Sequence, residues 1–211
     1  MNKYLFLALA AALLGTTSCK QEAEQAVQDQ TAAIVQVDAK KIMEKPVVLL
    51  DTDLGQIEIE LFAKEAPNTV LNFINKTLAG AFDGTTFHRL VPGFVIQGGD
   101  PLSKDSDPAN DGYGGEQMGV EPRKKSNLRG TISMASSSRI QPIDSQSDAQ
   151  FFINLDDQCA RLDQMGFIPF GRVVRGMEVV DKIAKQPRDM RDRPLKNRSE
   201  ERRVGKECRS R

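Results

Sequence analysis

Phe87-His88-Arg89-Leu90-Val91-Pro92-Gly93-Phe94-Val95-Ile96-Gln97-Gly98-Gly99-Asp100 is the stretch on which the fold of this chain turns. Pro92-Gly93 is a strong turn signal and Gly98-Gly99 a second, so the stretch is a strand–turn–strand hairpin. Alternation sends neighbouring strand side chains to opposite faces. It predicts Phe94 with Ile96 on one face and Val95 with Gln97 on the other. A cationic Arg89 and a polar Gln97 beside so much apolar surface point to a lined groove rather than a plain core. His88 is the most reactive-looking member, but alternation turns it away from Arg89 and no nucleophile stands at a readable position beside it. It reads as scaffold.

Upstream, Val47–Thr52 and Gln56–Phe62 flank Asp53-Leu54-Gly55 as a hairpin. Its second arm alternates Ile57, Ile59 and Leu61 with Gln56, Glu58 and Glu60. Glu58 and Glu60 therefore share the solvent face of one strand, which argues against a catalytic carboxylate pair. Ala66-Pro67-Asn68-Thr69 opens a helix, with Pro67 in the first turn. Val70, Leu71, Phe73, Ile74 and Leu78 form its expected apolar face, and Gly80 ends it. Downstream, 101–127 reads as a long loop. Its Gly112-Tyr113-Gly114-Gly115 lacks the Lys-Ser/Thr of a phosphate-binding loop. Thr131–Ala135, Gln150–Leu155 and Phe167–Val174 read as strands, with a polar loop from Ser136 to Ala149. A short helix over Gly176–Lys185 turns Met177, Val179, Val180 and Ile183 inward. Many strands, two helices and no alternating β-α repeat predict a mostly β fold, a closed, largely antiparallel barrel with flanking helices.

Composition narrows the chemistry. The 211 residues carry 29 Lys+Arg against 29 Asp+Glu, so net charge gives no reason to expect nucleic acid as a partner. A single His excludes a His pair or a His-rich metal site, and the three cysteines, Cys19, Cys159 and Cys208, show no metal-ligand spacing. No metal site is expected.

Met1-Asn2-Lys3 followed by the apolar run Tyr4–Gly15 reads as a signal peptide over residues 1–18; the run is too short to span a bilayer. Cys19 after small residues resembles the lipobox of bacterial lipoproteins, with Thr16 in place of the usual Leu. That resemblance implies lipidation at Cys19 and a protein held in a bacterial envelope, facing the periplasm or the cell surface. Residues 19–45, rich in Gln, Glu, Ala and Lys, read as a tether with a coil span of roughly 25–30 Å.

From about Val47 to Asn197 the chain resembles the cyclophilins, the prolyl cis–trans isomerases. The resemblance rests on motifs in order: Ala66-Pro67-Asn68-Thr69, the Phe-His-Arg…Pro-Gly-Phe…Gln-Gly-Gly-Asp hairpin, Gly112-Tyr113-Gly114-Gly115 and Ser133-Met134-Ala135. Gln150-Phe151-Phe152-Ile153, Leu162-Asp163 and Phe170-Gly171-Arg172-Val173 complete the series. It implies an isomerase domain over 46–197, an eight-stranded antiparallel β-barrel capped by two α-helices, that uses no cofactor. It further implies Arg89 as the catalytic arginine, Gln97 as the residue that positions it, and Phe94 with them in the catalytic set. Val95, Phe152 and Leu162 match the family's proline pocket, with Phe167 at a position where many members carry His. Ala135, Ser136 and Gln150 match positions that hold the substrate main chain, Ser136 replacing a common Asn. Arg161 stands where eukaryotic members often carry the Trp that contributes to cyclosporin binding.

Such chemistry needs few groups. A prolyl peptide bond resists rotation by about 18–20 kcal/mol because its nitrogen lone pair is delocalised into the carbonyl, and uncatalysed exchange takes tens to hundreds of seconds. A guanidinium that donates toward a deconjugated prolyl nitrogen stabilises the twisted state without titrating. The expected activity is isomerisation of proline-containing segments of exported proteins by a monomeric enzyme. The contrasting reading is a non-catalytic proline-peptide-binding or chaperone module, or a purely structural envelope lipoprotein.

The character of the chain breaks after Asn197. Arg198–Arg211 resembles one translated frame of a common sequencing adapter, where the family would supply a last apolar strand. The expectation is a non-native tail, an uncovered barrel edge, and no Cys159–Cys208 disulfide.

Overall fold

A computed structural model of the chain describes residues 46–195 and the backbone of 205–210. The signal peptide, Cys19 and the tether lie outside the described residues. Among the described residues ten strands and two α-helices follow in order: β1 (Pro46–Thr52), β2 (Gly55–Leu61), α1 (Pro67–Leu78), β3 (Arg89–Val91), β4 (Val95–Gly98), β5 (Gln117–Gly119), β6 (Thr131–Met134), β7 (Ser145–Ser147), β8 (Phe151–Asn154), β9 (Pro169–Arg175), α2 (Met177–Ala184) and β10 (Gly205–Ser210). Short 3-10 helices cover Pro101–Lys104 and Asp157–Asp163.

Eight strands form one sheet in the order β10-β1-β2-β9-β6-β8-β4-β3, and every pairing in it is antiparallel. The mostly β, antiparallel fold is therefore as expected. Closure is not: among the described residues no ladder joins β10 to β3, and the sheet has two ends. At one end the edge expected to be bare is covered, since Gly205–Ser210 pairs with β1. An unpaired strand edge offers N–H and C=O groups to any extended segment, so backbone alone suffices for that pairing. At the other end the Leu90 N–H of β3 donates to the Asp192 carbonyl at 2.7 Å.

Two short elements were not expected. The stretch 136–149, read as a loop, contains β7, and 101–127 contains β5 and a 3-10 turn; β5 and β7 pair as a separate two-stranded ribbon. Neither segment alternates apolar residues, and each is ordered by the other rather than by its own pattern.

Helix α1 starts at Pro67 with no cap from its own N-cap residue, Ala66. The missing cap comes from the long loop: the Glu121 carboxylate accepts from the N–H groups of Asn68 and Thr69, each at 2.9 Å, and from Thr69 Oγ1 at 2.6 Å. Its buried stripe is Thr69, Val70, Phe73, Ile74 and Thr77. Leu71 and Leu78, expected inside, are 48% and 59% exposed, because they lie roughly 110–130° around the helix from the stripe's centre. Phe73 packs between Phe151 and Phe170, with ring centroids at 5.6 and 5.0 Å, and Phe87 meets Phe151 edge-on at 6.2 Å. The first residue of the decisive stretch thus anchors it in the aromatic core. Gly98 is needed there, since a Cβ would fall 2.9 Å from the Phe87 ring.

Candidate functional site

The β3–β4 hairpin pairs Arg89 with Gln97, Leu90 with Ile96 and Val91 with Val95. Leu90 and Ile96 are fully buried, while Arg89 is exposed and Gln97 half-buried. One face of the hairpin is therefore core and the other is a wall. Phe94 departs from the expected alternation. It precedes β4 and closes the turn, its N–H donating to the Val91 carbonyl at 3.0 Å, so it joins Val95 and Gln97 instead of Ile96.

That wall bounds a cleft of about 400 Å³, lined by Arg89, Phe94, Val95, Gln97, Ala135, Ser136, Phe152, Arg161, Leu162, Met165 and Phe167. Its floor is a buried cluster of Val95, Phe152, Cys159 and Leu162, with Phe94, Ala135, Met165 and Phe167 packed against it. Phe167 meets Phe152 edge to face at 5.4 Å. Nine of the ten residues named from sequence line this cleft. Gln150, the tenth, lines an adjoining cleft of about 160 Å³ that shares Gln97, Ala135 and Ser136.

Arg89 is held by a relay of amides. Its Nη1 donates to Gln97 Oε1 at 3.3 Å, Gln97 Nε2 donates to Gln150 Oε1 at 3.0 Å, and Gln150 Nε2 donates to the Gly114 carbonyl at 2.8 Å. Gln150 is buried, so both amides are oriented by fixed partners. Ala135 offers less to a ligand's main chain than expected. Its N–H goes to the Gln150 carbonyl at 2.8 Å and its carbonyl accepts from Ser147 at 2.6 Å, which leaves one carbonyl lone pair. Ser136 Oγ is likewise committed, donating to the Ser145 carbonyl at 2.6 Å.

Asp100, where the hairpin exits, holds the glycine loop that rims the second cleft. Its carboxylate accepts from the N–H groups of Leu102 and Gly112, and a Cβ at 114 would fall 2.1 Å from Asp100 Oδ1, so only glycine fits. His88 lies beneath this loop, 5% exposed, with neither ring nitrogen in a hydrogen bond of normal geometry. Burial pulls its imidazole from the ordinary 6.5 down to about 4. Asp100 and the Thr86 carbonyl pull it back up, and Arg193 and Arg89 push it further down. A neutral buried ring that does not line the cleft is scaffold, as alternation indicated. Cys159 is a free, buried thiol whose Sγ donates to the Phe94 carbonyl at 3.2 Å, and burial pushes its pKa up. It packs behind the cleft and has no thiolate character.

Met165 was missed. In the fold Gly166 turns at φ +90° and Met165 lies against the floor, its carbonyl accepting from Ile143 at 2.9 Å. Glu58 and Glu60, by contrast, are engaged across strands by Arg175 at 3.1 Å and Arg172 at 2.9 Å, on the solvent face.

A family model described as "Cyclophilin type peptidyl-prolyl cis-trans isomerase/CLD" matches residues 47–200. Over 148 residues the chain is 41% identical to Peptidyl-prolyl cis-trans isomerase A of Dickeya dadantii, covering 65% of this chain and 70% of that one. Over 150 residues it is 39% identical to Peptidyl-prolyl cis-trans isomerase CYP18-1 of Arabidopsis thaliana, covering 70% and 88%. The crystal structure of a Cryptosporidium parvum cyclophilin type peptidyl-prolyl cis-trans isomerase, in the presence of the dipeptide Ala-Pro, superposes with a TM-score of 0.62 at 28% identity. That match covers 77% of this chain and 96% of the other.

Proposed function

The chain belongs to the cyclophilin-type peptidyl-prolyl cis–trans isomerases, and from that premise we propose that it works on exported proteins in a bacterial envelope, with Arg89 acting on the prolyl nitrogen. The observation that carries the residue assignment is a guanidinium at the mouth of an apolar-floored cleft, oriented by Gln97. In this reading the proline ring enters between Phe94, Val95, Phe152, Leu162 and Phe167, where burial of its methylenes favours binding. The scissile step is absent; only rotation occurs. As the carbonyl leaves the plane, the prolyl nitrogen becomes pyramidal and regains its lone pair. Arg89 donates to that lone pair more strongly than to the planar amide, which lowers the barrier by selective binding of the twisted form. Gln97 and Gln150 keep the guanidinium in place so that no reorganisation is needed at the moment of rotation.

The envelope assignment is supported by the basic start, the apolar run and Cys19. It puts a lipid on Cys19, a tether over 19–45 and a monomeric isomerase domain over 46–197. Acyl chains on Cys19 hold a protein stably where one chain alone would not. Mass spectrometry of the mature N-terminus tests this: an unmodified residue 19, or an intact residue 1, sinks it. A closed barrel belongs to the same reading.

The deciding experiment is a proline-isomerisation assay on a short peptide with the wild-type chain and Arg89→Ala. Acceleration by the former and near loss in the latter is expected. Equal acceleration by both refutes the role of Arg89. Peptide binding without acceleration by either would favour the non-catalytic module.

A further inference from the structure

We propose that this cleft selects proline segments carrying an acidic residue within one or two positions of the proline, and that Arg161 is the group that reads it; the inference rests on the isomerase reading above. Arg161 sits on the 3-10 helix Asp157–Asp163, is exposed, and lines the same cleft as Arg89. Its guanidinium lies over the Phe94 ring, 4.6 Å from the centroid. Stacking on an aromatic orients a guanidinium while leaving its N–H edges for a carboxylate. Phe94 walls the proline slot, so a carboxylate reaching Arg161 belongs to a near neighbour of the proline, one Cα–Cα step being about 3.8 Å.

The charge of the cleft is uncompensated. Among the described residues neither the main cleft nor its continuation has a carboxylate in its lining, and the only charged members are Arg89 and Arg161. The acids nearest Arg161 in sequence are engaged elsewhere. Asp156 accepts from the Gln158 N–H, Asp157 from the Arg129 N–H, and Asp163 from Ser126 and Asn127 while facing Arg123 at 3.3 Å. Among the described residues Arg161 makes no ion pair, whereas Arg129, Arg172 and Arg175 each have a carboxylate partner. Two cations over an apolar floor attract an anionic side chain and repel a cationic one.

The test uses the full chain and four peptide series in which the residue one or two before the proline, or one or two after it, is Glu, Ala or Lys. Each catalysed rate is divided by that peptide's own uncatalysed rate. At one of these positions the wild type is expected to prefer Glu over Lys by about fivefold in kcat/KM at low salt, shrinking as salt is added. Arg161→Glu should invert the order and Arg161→Gln should compress it. Glu and Lys peptides handled within twofold at every position, or a ratio unmoved by Arg161→Glu, overturns the proposal. A uniform loss on all peptides means that Arg161 only braces Phe94, and also overturns it. If not even the Ala peptides are accelerated by the wild type, the isomerase reading fails separately, and calorimetric binding of the same peptides still decides the charge preference.

Discussion

Two depressions on this molecule teach what a site requires. One, of about 670 Å³, lies beside β2, β6 and β9 and is lined in part by Glu60, Lys64, Glu65, Lys125, Arg129 and Arg172. It is the larger of the two, yet five of these six charges are spent: Lys125 meets Glu65 at 3.4 Å, Arg172 meets Glu60 at 2.9 Å and Arg129 meets Asp181 at 2.8 Å. The other, of about 400 Å³, has a buried aromatic floor, and Arg89 and Arg161 without carboxylate neighbours in its lining. Charges already paired with one another gain little from a ligand and lose their partners to it. A donor held by neutral amides above an apolar slot keeps its full capacity for the reacting group.

That contrast can be broken by experiment. Its largest expected effect is at Arg89: alanine should lower kcat/KM about 100- to 1000-fold, the cost of removing one donor to a transition state, with thermal unfolding unchanged because the side chain is exposed. Phe152→Ala acts on the floor. Phe152 is 5% exposed, and its removal should cost about 3 kcal/mol in denaturant unfolding while raising KM. If stability falls and KM does not, the floor does not contact substrate. His88 sharpens the comparison from beneath Arg89. Unfolded, it binds its proton near 6.5; folded, only near 4. The unfolded state therefore takes up the proton between those values. Stability present above pH 6.5 drains as pH falls through this window, by up to about 3 kcal/mol. Denaturant midpoints at pH 7, 5 and 4 should show that slope, and His88→Gln should lose it. The smallest effect is expected in the larger depression. Arg172→Ala, 58% exposed with its partner Glu60, should change stability by no more than about 0.5 kcal/mol and leave isomerisation untouched. A rate loss there would give the larger depression a role.

Much of this was legible in the residues. Pro92-Gly93 marked the turn, and alternation separated Arg89 from His88 correctly, because both sit in or beside regular strand. Alternation misplaced Phe94, because that residue belongs to the turn and the period-two rule ends where the ladder ends. The β5–β7 ribbon escaped notice for a related reason. Gln117–Gly119 and Ser145–Ser147 have no apolar pattern, and their order comes from mutual pairing and from the Asp148 carboxylate, which accepts from the Glu116 N–H at 2.8 Å.

By itself the sequence determined the turn and the two faces of the hairpin's strands, since periodicity and turn chemistry act between near neighbours in the chain, and its motifs in order carried the resemblance to the family. Only the tertiary structure decided that Gln150, 53 residues beyond Gln97, completes the relay behind Arg89, that Glu121 caps α1, and that Arg161 lies over Phe94 in a cleft with no carboxylate among its described lining. Those contacts join segments that meet only once the sheet has formed, and how far such groups lie from one another is set by the curl of the sheet rather than by the distance between them along the chain.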